Sequence, residues 1–192
     1  MSSEPYEILV GVGTLYVAAA GTAAPAVNAA PGGSWTSLGE TDGGVKVKKT
    51  QNIEAFSSDQ RTGNVKAVRT EEGVEVEVNL HEATLENLAD VIGGTVTDTA
   101  PGAGTIGTRA LKLHAGSDVT EYALLFRGDS PYGNFPGQFY VPRGYMDDDV
   151  EMEFTKDGKT LIPVKFIALE DLDAATEGDR FGVATYQDAA AV

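Results

Sequence analysis

Short alternations of apolar and polar residues dominate the chain. Residues 74–80 read Val-Glu-Val-Glu-Val-Asn-Leu. Val74, Val76, Val78 and Leu80 then share one face and Glu75 and Glu77 the other, the period of a half-buried strand. Residues 45–49 read Val-Lys-Val-Lys-Lys, with Lys46 and Lys48 on the outer face. If the two segments pair as a hairpin, a lysine row faces a glutamate row. Opposite charges across a strand pair contribute about 0.2–1 kcal/mol each. The intervening residues 50–70 lack a clean period and contain Asn52, Gly63 and Asn64. They are predicted to form a long arm loop held at both ends, and a structureless segment of that length inside a domain is usually functional.

Elsewhere the pattern predicts one helix and several more strands. Leu85, Leu88, Ala89 and Ile92 fit one helical face, giving a helix over about 82–92 that Gly93-Gly94 terminates. Glu82 near its start suits the macrodipole. Residues 8–17 read as a strand, with Gly11 and Gly13 where something packs close. Residues 18–34 and 95–107 are rich in small residues and turn formers and read as loops. Structure resumes at 35–38. Further strands are expected at 109–114, 120–126, 139–141 and 181–186, with a dense turn region over 128–137. Residues 149–154 alternate Asp149, Glu151 and Glu153 with Val150, Met152 and Phe154. Lys156-Asp157-Gly158-Lys159 is a hairpin turn signal, and residues 161–169 the return strand. Pro163 there implies an edge or a bulge. The fold expected is mainly β: two packed antiparallel sheets, a sandwich or partly open barrel, with one flanking helix. About eight strands, no internal repeat and 192 residues fit one domain over 1–192.

Charge changes this picture more than composition does. The chain has 29 acidic and 14 basic residues, a net −15, and no cysteine. Such a charge argues against a sequence-neutral nucleic-acid binder. The missing thiols exclude disulfides, cysteine-based metal sites and a thiol nucleophile. Residues 46–70 hold six bases and two acids, whereas residues 71–100 hold eight acids and no base. This basic block is either a solvated loop or a patch that meets an acidic surface on another copy or another partner. Residues 8–39 are uncharged, but several Gly and Pro interrupt them and Glu4 and Glu7 precede them. They fit neither a spanning helix nor a secretory signal, so no membrane partner is expected.

Motifs for chemistry fail one by one. Gly11-Val12-Gly13 is followed by Tyr16 where a dinucleotide fingerprint needs its third glycine. His81-Glu82 starts like a zinc-protease helix, but Leu85 stands at the second ligand position. His114 is the other histidine, and no G-x-S-x-G elbow exists. Counted from Asp147, an EF-hand loop would place Met152 and Gly158 where Gly and Glu are required. Arg127-Gly128-Asp129 matches an adhesion tripeptide, against the plainer reading of a strand-ending turn. No catalytic residue, metal site or cofactor is expected, and the chain is not expected to be an enzyme. A β-protein with a long basic arm and acidic strand faces suits assembly.

Three stretches then carry a resemblance. They are Val10-Gly11-Val12-Gly13-Thr14-Leu15-Tyr16-Val17-Ala18, Trp35-Thr36-Ser37-Leu38-Gly39-Glu40-Thr41-Asp42-Gly43-Gly44-Val45, and Glu71-Glu72-Gly73-Val74-Glu75-Val76-Glu77 followed by the helix. In this order the chain resembles the major tail protein, or tail tube protein, of long-tailed (siphovirus-type) bacteriophages with non-contractile tails. The resemblance covers most of residues 5–172, leaving 173–192 as a C-terminal extension. It implies a fold like that of the type VI secretion tube protein, and hexameric rings whose inner sheets join around a channel. The rings stack head to tail around a tape-measure protein, and tail-tip and tail-terminator proteins close the ends. The genome leaves through the channel without specific binding. The protein would be a virion tail component assembled in the host cytoplasm. Residue by residue, the arm that contacts the next ring would carry Arg61, Lys66 and Arg69. The channel face would carry Lys46, Lys48, Glu75 and Glu77, with Asp149, Glu151 and Glu153 as further candidates. The competing reading is a monomeric extracellular β-sandwich that binds or adheres through the Arg127-Gly128-Asp129 turn.

Overall fold

The computed structural model describes residues 13–147, 149–152, 156 and 158–190. Among the described residues, alternation along the chain translates into ten strands, one helix and a 3-10 turn. Eight strands form one antiparallel sheet and two a small separate one. In the large sheet β1 (Thr14–Ala19) lies between β2 (Thr36–Ser37) and β7 (Tyr122–Asp129). β7 pairs with β8 (Pro136–Met146), which reaches β9 (Ile162–Ala168), then β4 (Asn64–Leu80) and β3 (Thr41–Ser57). β5 (Val96–Thr99) and β6 (Thr108–Leu111) make the second sheet.

β8 is the strand on which the sandwich turns. Residues 137–140 pair with β10 (Val183–Tyr186), and residues 144–146 pair with β9 on the same side. β7 covers the opposite side. The sheet therefore divides along β8, and its halves close on one core. Leu15, Val17, Leu124 and Val141 from one half meet Val76, Val78, Ile162, Val164 and Phe166 from the other. Removing these side chains from water is the main stabilising term.

α1 (Leu85–Ile92) closes one end of the core with Leu88, Ala89 and Val91. It begins later than the pattern predicted, because Thr84 caps it by accepting from the Asn87 backbone N–H at 3.2 Å. Asn87 is itself buried and donates to the Leu38 and Glu82 carbonyls. Gly93 ends the helix in the left-handed conformation, as expected.

Several expectations change in detail. Residues 50–70 are no loop: β3 and β4 run on as a two-stranded ribbon almost to their connection at 58–63. Alternation fails there because the register slips twice, leaving Thr70 and Val65 as extra residues in β4. The 95–107 segment contains β5, and His114 lies beyond the end of β6. Val150 and Met152 pack against the core as their spacing implied, but residues 149–152 form no strand. β9 thus returns against β4 and β8 instead of a hairpin partner. Pro163 fits an edge-like position. The Lys165 carbonyl accepts from Asp147 on the β8 side, so Pro163, two residues away, turns its missing N–H to the same side, beyond the β8 pairing.

The uncharged 18–34 segment lies over the outer face of β1, β7 and β8. Side chains of the sheet hold its carbonyls. Tyr140 Oη donates to Thr22 at 2.9 Å, Gln138 Nε2 to Pro25 at 3.0 Å, and Arg127 to Val27 and Ala29. Trp35 Nε1 donates to Ala23 at 3.3 Å.

Gly144 sits where β10 gives way to β9. A Cβ there would lie 2.4 Å from the Ile167 carbonyl oxygen and the Phe166 ring. Gly144→Ala is expected to destabilise the fold by about 1–3 kcal/mol, as overpacking does. Chemical denaturation would check this, and an unchanged midpoint would refute the close contact.

Candidate functional site

The β3–β4 ladder has a body half and a free half. In the body half β4 is flanked by both β3 and β9, with Val76, Val78 and Leu80 in the core. Beyond Glu75 only β3 accompanies β4, and residues 51–57 and 59–72 are exposed throughout. An isolated two-stranded ribbon is marginal in water by itself. This one also presents apolar side chains: Ile53, Phe56, Val65 and Val68 are 50%, 48%, 54% and 39% exposed. Apolar surface grouped in this way marks an interaction site.

Register assigns these residues to faces, because directly opposed residues share one. One face carries the expected charged rows. Lys46 opposes Glu77 and Lys48 opposes Glu75. Lys48 Nζ lies 3.0 Å from Glu75, and Lys46 Nζ lies 3.9 Å from Glu77. The four residues thus form two ion pairs, and the lysines add no net charge to that face. Towards the tip the same face bears Glu54 opposite Val68 and Phe56 opposite Lys66. The other face continues from the core through Val47 and Val76 to Ile53 opposite Arg69.

The expected arm cations differ in their surroundings. Arg69 Nε donates to Gln51 at 3.1 Å, and its Nη1 lies 3.4 Å from Glu72. Glu72 also accepts from Lys49 at 3.0 Å, and Lys49 stands 5.2 Å from the centre of the Phe181 ring. Arg69 therefore helps to fix the root of the arm. Arg61, in the connection at the tip, and Lys66 have no ion-pair partner within the chain among the described residues.

Asp149 lies apart from the lysine–glutamate face. It lines a groove with Val91, Ile92 and Leu113 beside α1. Glu151 is exposed and in no strand. Glu153, and Asp148 of the acidic run, lie outside the described residues. The adhesion tripeptide is not a free turn. Arg127, Gly128 and Asp129 pair with Gln138, Gly137 and Pro136, and the guanidinium is engaged by two loop carbonyls. No helix among the described residues is long and apolar enough to cross a membrane.

The apolar residues of the arm escape a reading of the sequence. Their signal was present, since Ile53, Phe56, Val65 and Val68 punctuate a basic stretch. The two bulges remove the regular spacing that would have shown it as a ribbon.

Fold and ribbon together define a β-sandwich protein with a projecting arm that the described residues leave uncovered. The chain belongs to the phage tail tube protein family, whose family model matches residues 1–177. It is a structural component of the virion tail, of a kind that assembles with itself into the tail tube. No curated protein matches the chain at a significant level.

Lys49 holds the Glu72 carboxyl below its ordinary pKa, mainly through their hydrogen bond and then through charge attraction. A lowered carboxylate pKa means that the pair's support is present at neutral pH and is lost as pH falls through the lowered value. Lys49→Met is expected to move the Glu72 titration midpoint upward, as read by carboxyl NMR. An unmoved midpoint would show that the pair does not form in solution.

Proposed function

We propose that this chain forms hexameric rings that stack head to tail into the tail tube of a long-tailed phage with a non-contractile tail, and that the tube is the conduit for genome ejection. The observation that carries this reading is the uncovered arm. Its strands pair almost to the tip, and its apolar residues Ile53, Phe56, Val65 and Val68 are left exposed by the described residues. A neighbouring copy supplies the missing partner. Such a contact joins different surfaces on the two copies, so it does not close and yields a filament. Residues 1–192 act as one tail-tube domain, with 5–172 as its core and 173–192 as an extension that adds β10 to the large sheet.

Arg61 and Lys66 at the tip make the stacking contact, with Arg69 bracing the root. Lys46, Lys48, Glu75 and Glu77 face the channel. There the paired charges supply a solvated wall with no excess of cations, so a passing polyanion gains no counterion-releasing contact. The growing tube surrounds a tape-measure protein, is closed by tail-tip and tail-terminator proteins, and is assembled in the host cytoplasm without a membrane step.

Replacing residues 53–70 by Asn-Gly retains the Asn52–Glu71 pairing and supplies a two-residue hairpin turn. The variant is expected to fold as a monomer and to form no tubes in negative-stain electron microscopy. Tubes of normal appearance from this variant would remove the arm from the contact. Arg61→Glu with Lys66→Glu is expected to weaken assembly more at low than at high salt, because screening reduces the repulsion. Equal weakening at all salt concentrations would remove the electrostatic account.

A further inference from the structure

The lysine–glutamate face extends beyond β3 and β4. Register places Glu77 opposite Lys165 of β9 and Glu75 opposite Ile167. β9 in turn meets β8, with Ile167 opposite Tyr145 and Phe166 opposite Met146. One residue further on, the Asp147 backbone N–H donates to the Lys165 carbonyl at 2.8 Å, so Asp147 stands opposite Lys165. Phe166 and Met146 pack into the core. Their neighbours Lys165 and Asp147 therefore turn to the other face, the one that holds Glu77. Lys46, Glu77, Lys165 and Asp147 thus form one row of alternating sign across three strands and the end of a fourth. The row meets solvent. Lys46 and Asp147 at its ends are exposed, and a polar recess of about 420 Å³ opens on it beside Gly43, Gly44, Lys46, Glu77 and Lys165.

Lys165 makes the alternation matter. Lys46 lies 3.9 Å from Glu77, whereas neither Lys165 nor Asp147 makes an ion pair among the described residues. The other charged groups on this part of the face are paired: Lys48 with Glu75, Asp42 with Lys159 and Arg143 with Glu121. Glu71, beyond the end of β9, adds an acid towards the arm. Lys165 alone would leave the body half with one excess cation, and Asp147 is the carboxylate that offsets it. A polyanion is held where Lys and Arg neutralise its phosphates and release counterions. In this row each lysine already faces a carboxylate.

We propose that Lys165 and Asp147 belong to the channel wall, and that the partner this row meets is passing duplex DNA, whose phosphates find no run of unopposed cations there. The proposal rests on the tube reading above and adds to it the two residues that keep the wall neutral. The absence of cysteine from the chain allows a test on assembled tubes. In Lys165→Cys and Asp147→Cys tubes a small fluorescent maleimide is expected to label the thiol. Maleimide fixed to agarose beads, too large for a channel, is expected to capture at least tenfold less of either variant after assembly than before it. Glu75→Cys tubes report on the tube reading itself. Bead capture of the 165 and 147 variants with Glu75→Cys protected would overturn the proposal alone. Bead capture of all three would overturn the channel face as well. A thiol at 165 and 147 that even the small reagent cannot reach would also overturn the proposal. Charge gives an independent measurement. At low salt, Asp147→Lys tubes are expected to retain at least tenfold more of a short DNA duplex than wild-type tubes, and to release it at high salt. Asp188→Lys, the same change at an exposed position away from the row, is expected to retain no more than wild type. Equal retention by the Asp147 and Asp188 variants would overturn the role of the row.

Discussion

The ladder between β3 and β4 is the interaction on which the rest of this structure depends. Its inner half is an ordinary part of a sandwich, flanked by β9 and anchored by Val76, Val78 and Leu80. Its outer half keeps the same hydrogen bonds and loses every other neighbour. Backbone pairing thus runs nearly to the tip, interrupted by the bulges at Thr70 and Val65, whereas side-chain burial is satisfied only at its root. A hairpin alone is barely stable, so the outer half borrows order from the inner. Lys49, Glu72, Arg69 and Gln51 mark the point where that support is handed over.

Charge follows the same division. On the root the lysine and glutamate rows neutralise each other within the chain. At the tip Arg61 and Lys66 make no ion pair among the described residues, although Glu54 and Asp59 belong to the same part of the arm. The net −15 of the sequence is thus no evenly spread cloud. Residues 46–70 hold six bases and two acids, and acids prevail over the rest of the chain.

The sandwich was legible wherever one face of a strand is buried and the other is wet. Val74–Leu80 and Lys46–Lys48 alternate because the pleat makes them do so, and their pairing followed from opposite charge. The helix was legible from its apolar stripe and from Gly93. What escaped was structure without a simple period. Bulges at Thr70 and Val65 disguised two long strands as a loop. The segment at 149–152 alternates because its apolar residues reach the core, yet no neighbouring strand offers it a ladder. The candidate site was legible in its cations and hidden in its apolar residues Ile53, Phe56, Val65 and Val68, whose regular spacing the two bulges break.

The covering of the outer face obeys a different logic. Arg127, Gln138, Tyr140 and Trp35 hold residues 22–29 entirely by main-chain carbonyls. Every residue type supplies that acceptor, so these contacts fix the path of the segment without selecting its side chains. A substitution along this segment that keeps the backbone path therefore leaves all five carbonyl contacts in place.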